Sequence, residues 1–136
     1  MRPSIYNLAR AKPTLAIALR TNGTVNGTTV DLHENKDAAR SAVLIVHAGT
    51  VTDGTHTVSL QESDDDSTWA AAPAASLQGS VPAITSANDE TVYELGYVGS
   101  KRYLRAVVVT ASATTGGTLG AVIQRAFPRR RPISHA

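Results

Sequence analysis

Between Thr14 and Ala126 no segment of helical period exceeds ten residues, and this constrains the fold more than any other feature of the chain. Apolar residues recur instead in short extended runs, joined mostly by Gly, Asn, Asp or Ser turns. The clearest run is Gly54–Glu62. His56, Val58 and Leu60 point one way and Thr57, Ser59 and Gln61 the other, because successive strand side chains alternate between faces. Extended patterns also span 14–20, 25–32, 42–48, 67–71, 91–98, 102–110 and 118–126. The run 42–48 (AVLIVHA) is continuously apolar and reads as a strand buried on both faces. In 91–98, Tyr93, Leu95 and Tyr97 share a face, and 72–88, rich in Ala, Ser and Pro, reads as a long loop with at most a short strand. About eight strands at this spacing predict an all-β fold, a sandwich or barrel. The expected layout is an N-terminal arm over 1–13, a single β-sandwich domain over 14–126 and a basic C-terminal tail over 127–136. Pro128 and Pro132 lack a backbone N–H and are expected to keep the tail out of any sheet or helix.

A length of 136 residues suits one domain with a sizeable core. With no cysteine, neither a disulfide framework nor thiolate chemistry is available. No apolar run reaches the ~20 residues of a membrane helix, and the N-terminus lacks a signal-peptide core, so no membrane association is expected. Asn22 and Asn26 each begin an Asn-Gly-Thr triplet, read as a turn. Net charge is +2, yet all 11 acids lie in 31–94, where Lys36 and Arg40 are the only bases besides histidine. Both ends are therefore basic around an acidic centre. Such ends suit nucleic acid or an acidic protein surface.

The stretch ESDDDSTW (62–69) is the most conspicuous candidate site. Its three Asp are contiguous, whereas a calcium loop needs alternating oxygens, a Gly and a later Glu. It reads as a hairpin turn, and a carboxylate at an exposed tip has nothing to raise its pKa for acid–base work. His33, His47, His56 and His135 share no metal-ligand spacing, and His56 reads as a satisfied core or edge histidine. Thr115-Gly-Gly-Thr lacks the Lys of a phosphate loop and reads as a hairpin turn. YVGSKRYLR (97–105) mixes bases with tyrosines, but aromatics form only 4% of the chain, too few for a single-strand binding platform. These readings leave catalytic, cofactor and metal residues unassigned, and nucleic acid is disfavoured as a partner. The candidate partner-binding residues are Arg2, Arg10, Lys12, Lys101, Arg102, Arg125, Arg129, Arg130 and Arg131.

VSLQESDDDSTW, YELGYVGSKRYLRAVVV, TTGGTLGAVIQ and the Pro/Arg tail together resemble a family of small tailed-phage proteins, the capsid decoration or cement proteins that sit on HK97-type heads. The likeness covers roughly 25–130, and Y-x-G-x-K-R-Y-x-R is its most specific part. Where relatives often carry Gly, this chain has Asp66, a departure that bears on turn geometry. The resemblance implies a jelly-roll sandwich without catalysis and with no cofactor. It implies a virion protein, made in the host cytoplasm, that binds the major capsid protein and bridges its neighbouring subunits. A homo-oligomer, dimer or trimer, would match capsid symmetry axes. The alternatives are a head–tail connector or tail protein, and a carbohydrate-binding β-sandwich module.

Overall fold

The computed structural model describes residues 4–36, 38–129, 132–133 and 135. In chain order its strands are β1 (Ala9–Arg20), β2 (Gly23–Asn26), β3 (Val30–Asp31), β4 (Ser41–Val51), β5 (Thr55–Ser63), β6 (Ala70–Ala71), β7 (Leu77–Gln78), β8 (Ala83–Ile84), β9 (Val92–Tyr97), β10 (Tyr103–Ala111) and β11 (Gly117–Ala126). Two antiparallel sheets face each other. One has the order β1-β11-β4-β9-β7, and the other β2-β10-β5-β6, with β3 also on β10 and β8 also on β5. The chain is all-β and sandwich-like, as expected, with eleven strands rather than about eight. The additional strands are short. The 25–32 run breaks into β2 and β3, and 72–88 contributes the two-residue β7 and β8.

Alternation along the long strands builds the core. Leu44 and Val46 of β4, Leu95 and Tyr97 of β9, and Leu119 and Ile123 of β11 face Val58 and Leu60 of β5 and Leu104 and Val108 of β10. Each fully buried Leu contributes about 1.5–3 kcal/mol relative to exposure. His56 lies on the same inward face, with Nδ1 2.9 Å from Thr110 Oγ1 and Nε2 3.2 Å from the Asp53 carbonyl. It is a satisfied core histidine.

The expectation for 42–48 needs correction. β4 alternates, with Ala42, Leu44, Val46 and Ala48 buried, Val43 and Ile45 half-buried and His47 exposed. Its sheet is antiparallel and no layer of the described residues covers the outer face, so only one face enters the core. On the outer face Ile45 lines a shallow groove of about 500 Å³ with Ile17, Val92 and Val122. The glycine-rich turn at 115–118 is not a hairpin either. It carries the chain from β10 in one sheet to β11 in the other, and the Asp53 carboxylate holds it by accepting the N–H groups of Thr114, Thr115 and Gly116.

β1 begins at Ala9, so the last five residues of the expected arm over 1–13 are sheet. Among the described residues β1 pairs only with β11, and an edge strand accommodates Pro13, which lies beside a register shift. The Thr14 side chain then ties the two sheets together. Its Oγ1 donates to the Thr28 carbonyl at 2.9 Å and accepts the Ala106 N–H at 3.0 Å. Gly27 fits here through close approach rather than as a turn residue. A Cβ at that position would lie within 2.7 Å of Thr14 O, Thr14 Oγ1 and Ala106 O. Asn22-Gly23 is a turn, and Gly23 adopts φ +134°.

The described part of the tail is folded back. Phe127 N–H donates to Leu8 O and Ile133 N–H to Asn7 O. Pro128 and Ile133 are buried, and the His135 ring stacks on Tyr6 with centroids 4.0 Å apart. Neither proline joins a sheet, yet the tail packs through its apolar residues. Leu60→Asp should destabilise the fold by at least about 4 kcal/mol, because it buries an unpaired charge. Ser59→Asp, on the outer face, should stay within about 0.5 kcal/mol. Urea melts followed by circular dichroism check both, and the reverse ranking would mean a register one residue out.

Candidate interaction surface

The start of β1, the end of β11, the start of β4 and the β9–β10 crossing share one end of the sandwich. Their registers show it, with Arg10 opposite Arg125, Ala126 opposite Ser41 and Ala42 opposite Tyr97. This end collects Arg10, Lys12, Lys101, Arg102, Arg125 and Arg129 from the nominated set. Arg2, Arg130 and Arg131 lie outside the described residues.

Three of these cations turn inward on one carboxylate. Glu34, in the short 3-10 turn Glu34–Lys36, accepts from Arg125 Nη1 at 2.7 Å and from Lys12 Nζ at 3.1 Å, with Arg10 Nη1 at 3.7 Å. Arg125 is only 2% exposed and also donates to the Asp31 carbonyl at 3.0 Å. Its place as a partner-binding residue is therefore corrected. Position 125 continues the inward parity of Leu119, Ala121 and Ile123, so its guanidinium closes the end of the core. Arg10 and Lys12 are likewise directed to Glu34. Hydrogen bonds from Arg125 and then Lys12 hold the Glu34 carboxyl below its usual range.

Lys101 and Arg102 stay at the surface beside the acidic hairpin. Lys101 Nζ lies 2.6 Å from Asp64 Oδ2, and Arg102 grips Asp31 with two bonds of 2.9 Å. Burial alone would raise the Asp31 pKa. The Arg102 hydrogen bond and the His33 N–H outweigh it, and the pKa falls. The four carboxylates of 62–66 diverge. Glu62 accepts from the Tyr97 hydroxyl, Asp64 pairs with Lys101 and Asp66 accepts from Thr29 Oγ1. Asp65 caps the turn by accepting the N–H groups of Thr68 and Ser67, bonds that bring its pKa to about 2. Asp66 adopts φ +60°, the left-handed conformation that Gly takes easily and Asp tolerates. Burial and the Glu62 contact push the Tyr97 hydroxyl up to about 12.

The sequence reading overlooked a small pocket of about 220 Å³ between these groups. It is walled by Leu32, Ala39, Tyr97, Gly99 and Ser100 and rimmed by His33, Arg40, Lys101 and Arg129. Arg40 Nε donates to the Phe127 carbonyl at 3.2 Å and meets no carboxylate among the described residues. Arg129 is exposed and makes no ion pair among them. The pocket residues come from four separated stretches, so no motif spacing announces them.

Other candidate surfaces are already occupied. The Arg105 guanidinium covers Trp69 at 4.4 Å while Arg105 Nε donates to Gln61, and Arg102 lies over the Tyr103 ring at 5.0 Å. Among the described residues no three His, Cys, Asp or Glu converge as a metal site, and no helix is long and apolar enough to cross a membrane. No protein-family model matches the chain, and neither a curated protein nor a solved structure matches it.

Two outcomes follow. Glu34→Ala should cost about 3 kcal/mol, because it leaves Arg125 buried without its carboxylate. Arg125 Nε and Nη2 already lack hydrogen-bond partners. Adding Arg125→Met should therefore recover most of the loss, as thermal melts of the single and double variants will report. The pH response has a fixed sign. Asp31, Glu34, Asp53 and Asp65 all have folded pKa values below their ordinary ones. Their contribution is complete above the unfolded carboxylate pKa of about 4 and is lost as pH falls through the folded values. The melting temperature should hold from pH 7 to about 5 and drop between about 4 and 2, where calorimetry can follow it.

Proposed function

We propose that this chain is a non-enzymatic virion protein that decorates the outer capsid surface and bridges neighbouring major capsid subunits through its basic end. The observation that carries this reading is the pairing pattern there. Five nominated cations are engaged within the chain, while Arg40 and Arg129 are exposed and meet no acid among the described residues. Two further features support it. Counting β2 with β3 and β6 with β8 as single strands, and setting aside the edge strand β7, leaves eight strands in two sheets of four, with the chain alternating between sheets at most steps. That arrangement supports the jelly-roll reading. Two of the stretches that carry the resemblance, 62–69 and 97–105, also contact each other, through Tyr97–Glu62 and Lys101–Asp64.

The mechanism would be mass action. A protein that binds only the closed lattice stabilises it by RT ln(1 + [L]/Kd) at every site. Contacts to more than one subunit add avidity, and a dimer or trimer would match a local symmetry axis. A carbohydrate-binding module is less well supported, since Arg105 already covers one face of Trp69, the chain's only tryptophan. A connector or tail role would differ in copy number, tens or fewer per particle rather than hundreds.

Because Pro128 and Ile133 are packed, the tail is tested by charge removal, not truncation. Substituting Arg129, Arg130 and Arg131 with Gln should leave the melting point nearly unchanged. Co-sedimentation with empty capsids should weaken at least ~tenfold, or ~1.4 kcal/mol. The intact protein should also release with rising salt, as exposed charge pairs are screened. Undiminished decoration by the substituted protein would transfer binding to the faces of the sandwich.

A further inference from the structure

We propose that the pocket between the 32–41 segment, the β9–β10 crossing and Arg129 is a carboxylate site that receives one acidic side chain of a partner protein. This rests on the decoration reading and names what the basic end recognises. The pocket is about 220 Å³, ample for a carboxylate headgroup. Arg40 and Arg129 supply two guanidinium forks, the groups best matched to a planar carboxylate. The Phe127 carbonyl anchors Arg40 through Nε, so its remaining N–H groups are held near the rim. Lys101 adds a third cation, shared with Asp64, and His33 a ring nitrogen pair on the opposite wall. The hydroxyls of Ser41 and Ser100 provide further donors.

The surroundings select a lone carboxylate over a polyanion. Asp31, Glu34, Asp64, Asp65 and Asp66 belong to the same end and each already has a partner. A nucleic-acid backbone, with a charge every ~1.7 Å of duplex, would be driven against these acids wherever it left the pocket. A protein surface can present one acid to the pocket and hydroxyls or bases to the acids around it. The complementary partner is thus a segment of mixed charge with a single protruding Asp or Glu.

The test uses the full chain labelled with nitrogen-15 and four probes: acetyl-Ala-Glu-Ala-amide, its Gln counterpart, inorganic phosphate and a short oligothymidylate. The Glu peptide should shift the amide signals of Ser41, Gly99 and Ser100 saturably, and the Gln peptide should not. Arg40→Gln with Arg129→Gln should weaken the Glu peptide at least about tenfold, the effect of losing charge-assisted hydrogen bonds. Unchanged core amides in that variant would show that the fold is intact. Equal shifts from both peptides, or shifts that persist in the double variant, would overturn the site. Saturation of the same amides by phosphate or oligothymidylate at lower concentration than the Glu peptide would reassign it to an oxyanion or to nucleic acid. Capsid co-sedimentation of the wild type separates the two proposals. Decoration without peptide binding sinks only the pocket, and peptide binding without decoration sinks only the capsid reading.

Discussion

The carboxylate of Glu34 is the contact on which the basic end is organised. It gathers one cation from the inside of β11 and two from the edge strand β1, and it sits on the segment that links β3 to β4. A fully buried guanidinium is costly in a protein interior unless an opposite charge and hydrogen bonds meet it. Arg125 is tolerated because Glu34 and the Asp31 carbonyl are there. The same contact fixes the path of the 32–40 segment, which forms one wall of the pocket.

That arrangement separates two kinds of basic residue that look alike in composition. Arg10, Lys12 and Arg125 hold the end of the sandwich together, and their loss would act on stability first. Arg40 and Arg129 are exposed and meet no carboxylate among the described residues. Lys101 and Arg102 stand between. Their ion pairs with Asp64 and Asp31 are exposed, so each contributes little to stability. A surface of this type favours recognition that is sensitive to salt and built from a few well-placed pairs.

The strands were legible where their two faces differ. In β5 a polar residue follows each apolar one, and the inward set His56, Val58 and Leu60 could be read directly. In β4 both faces are apolar, because Val43 and Ile45 are half-buried on the outer face, and alternation left no mark. The acidic turn was legible from residue chemistry, since Asp and Ser bond nearby N–H groups whatever the fold. The sheet crossings at 98–102 and 112–116 were not, because a turn sequence carries no information about which sheet the next strand joins. Arg125 was misassigned by its neighbourhood of arginines, although the parity of β11 pointed it inward. The pocket was invisible for a plainer reason. Its walls are separated by up to 97 positions, from Leu32 to Arg129, and only the pairing of β4, β9 and β11 brings them together.

The docking of the tail on residues 5–8 has an architectural consequence. The described parts of the two chain ends meet at the basic end, where Ile133 N–H donates to Asn7 O and His135 lies on Tyr6. The opposite end is formed by the 85–91 turn and the loop gripped by Asp53, and Ser86 and Ala87 are exposed there. Cargo inserted at those two residues would project from the pole opposite the basic end. The two poles of the block thus differ in chemistry, one gathering cations beside the described chain ends and the other presenting an exposed polar turn.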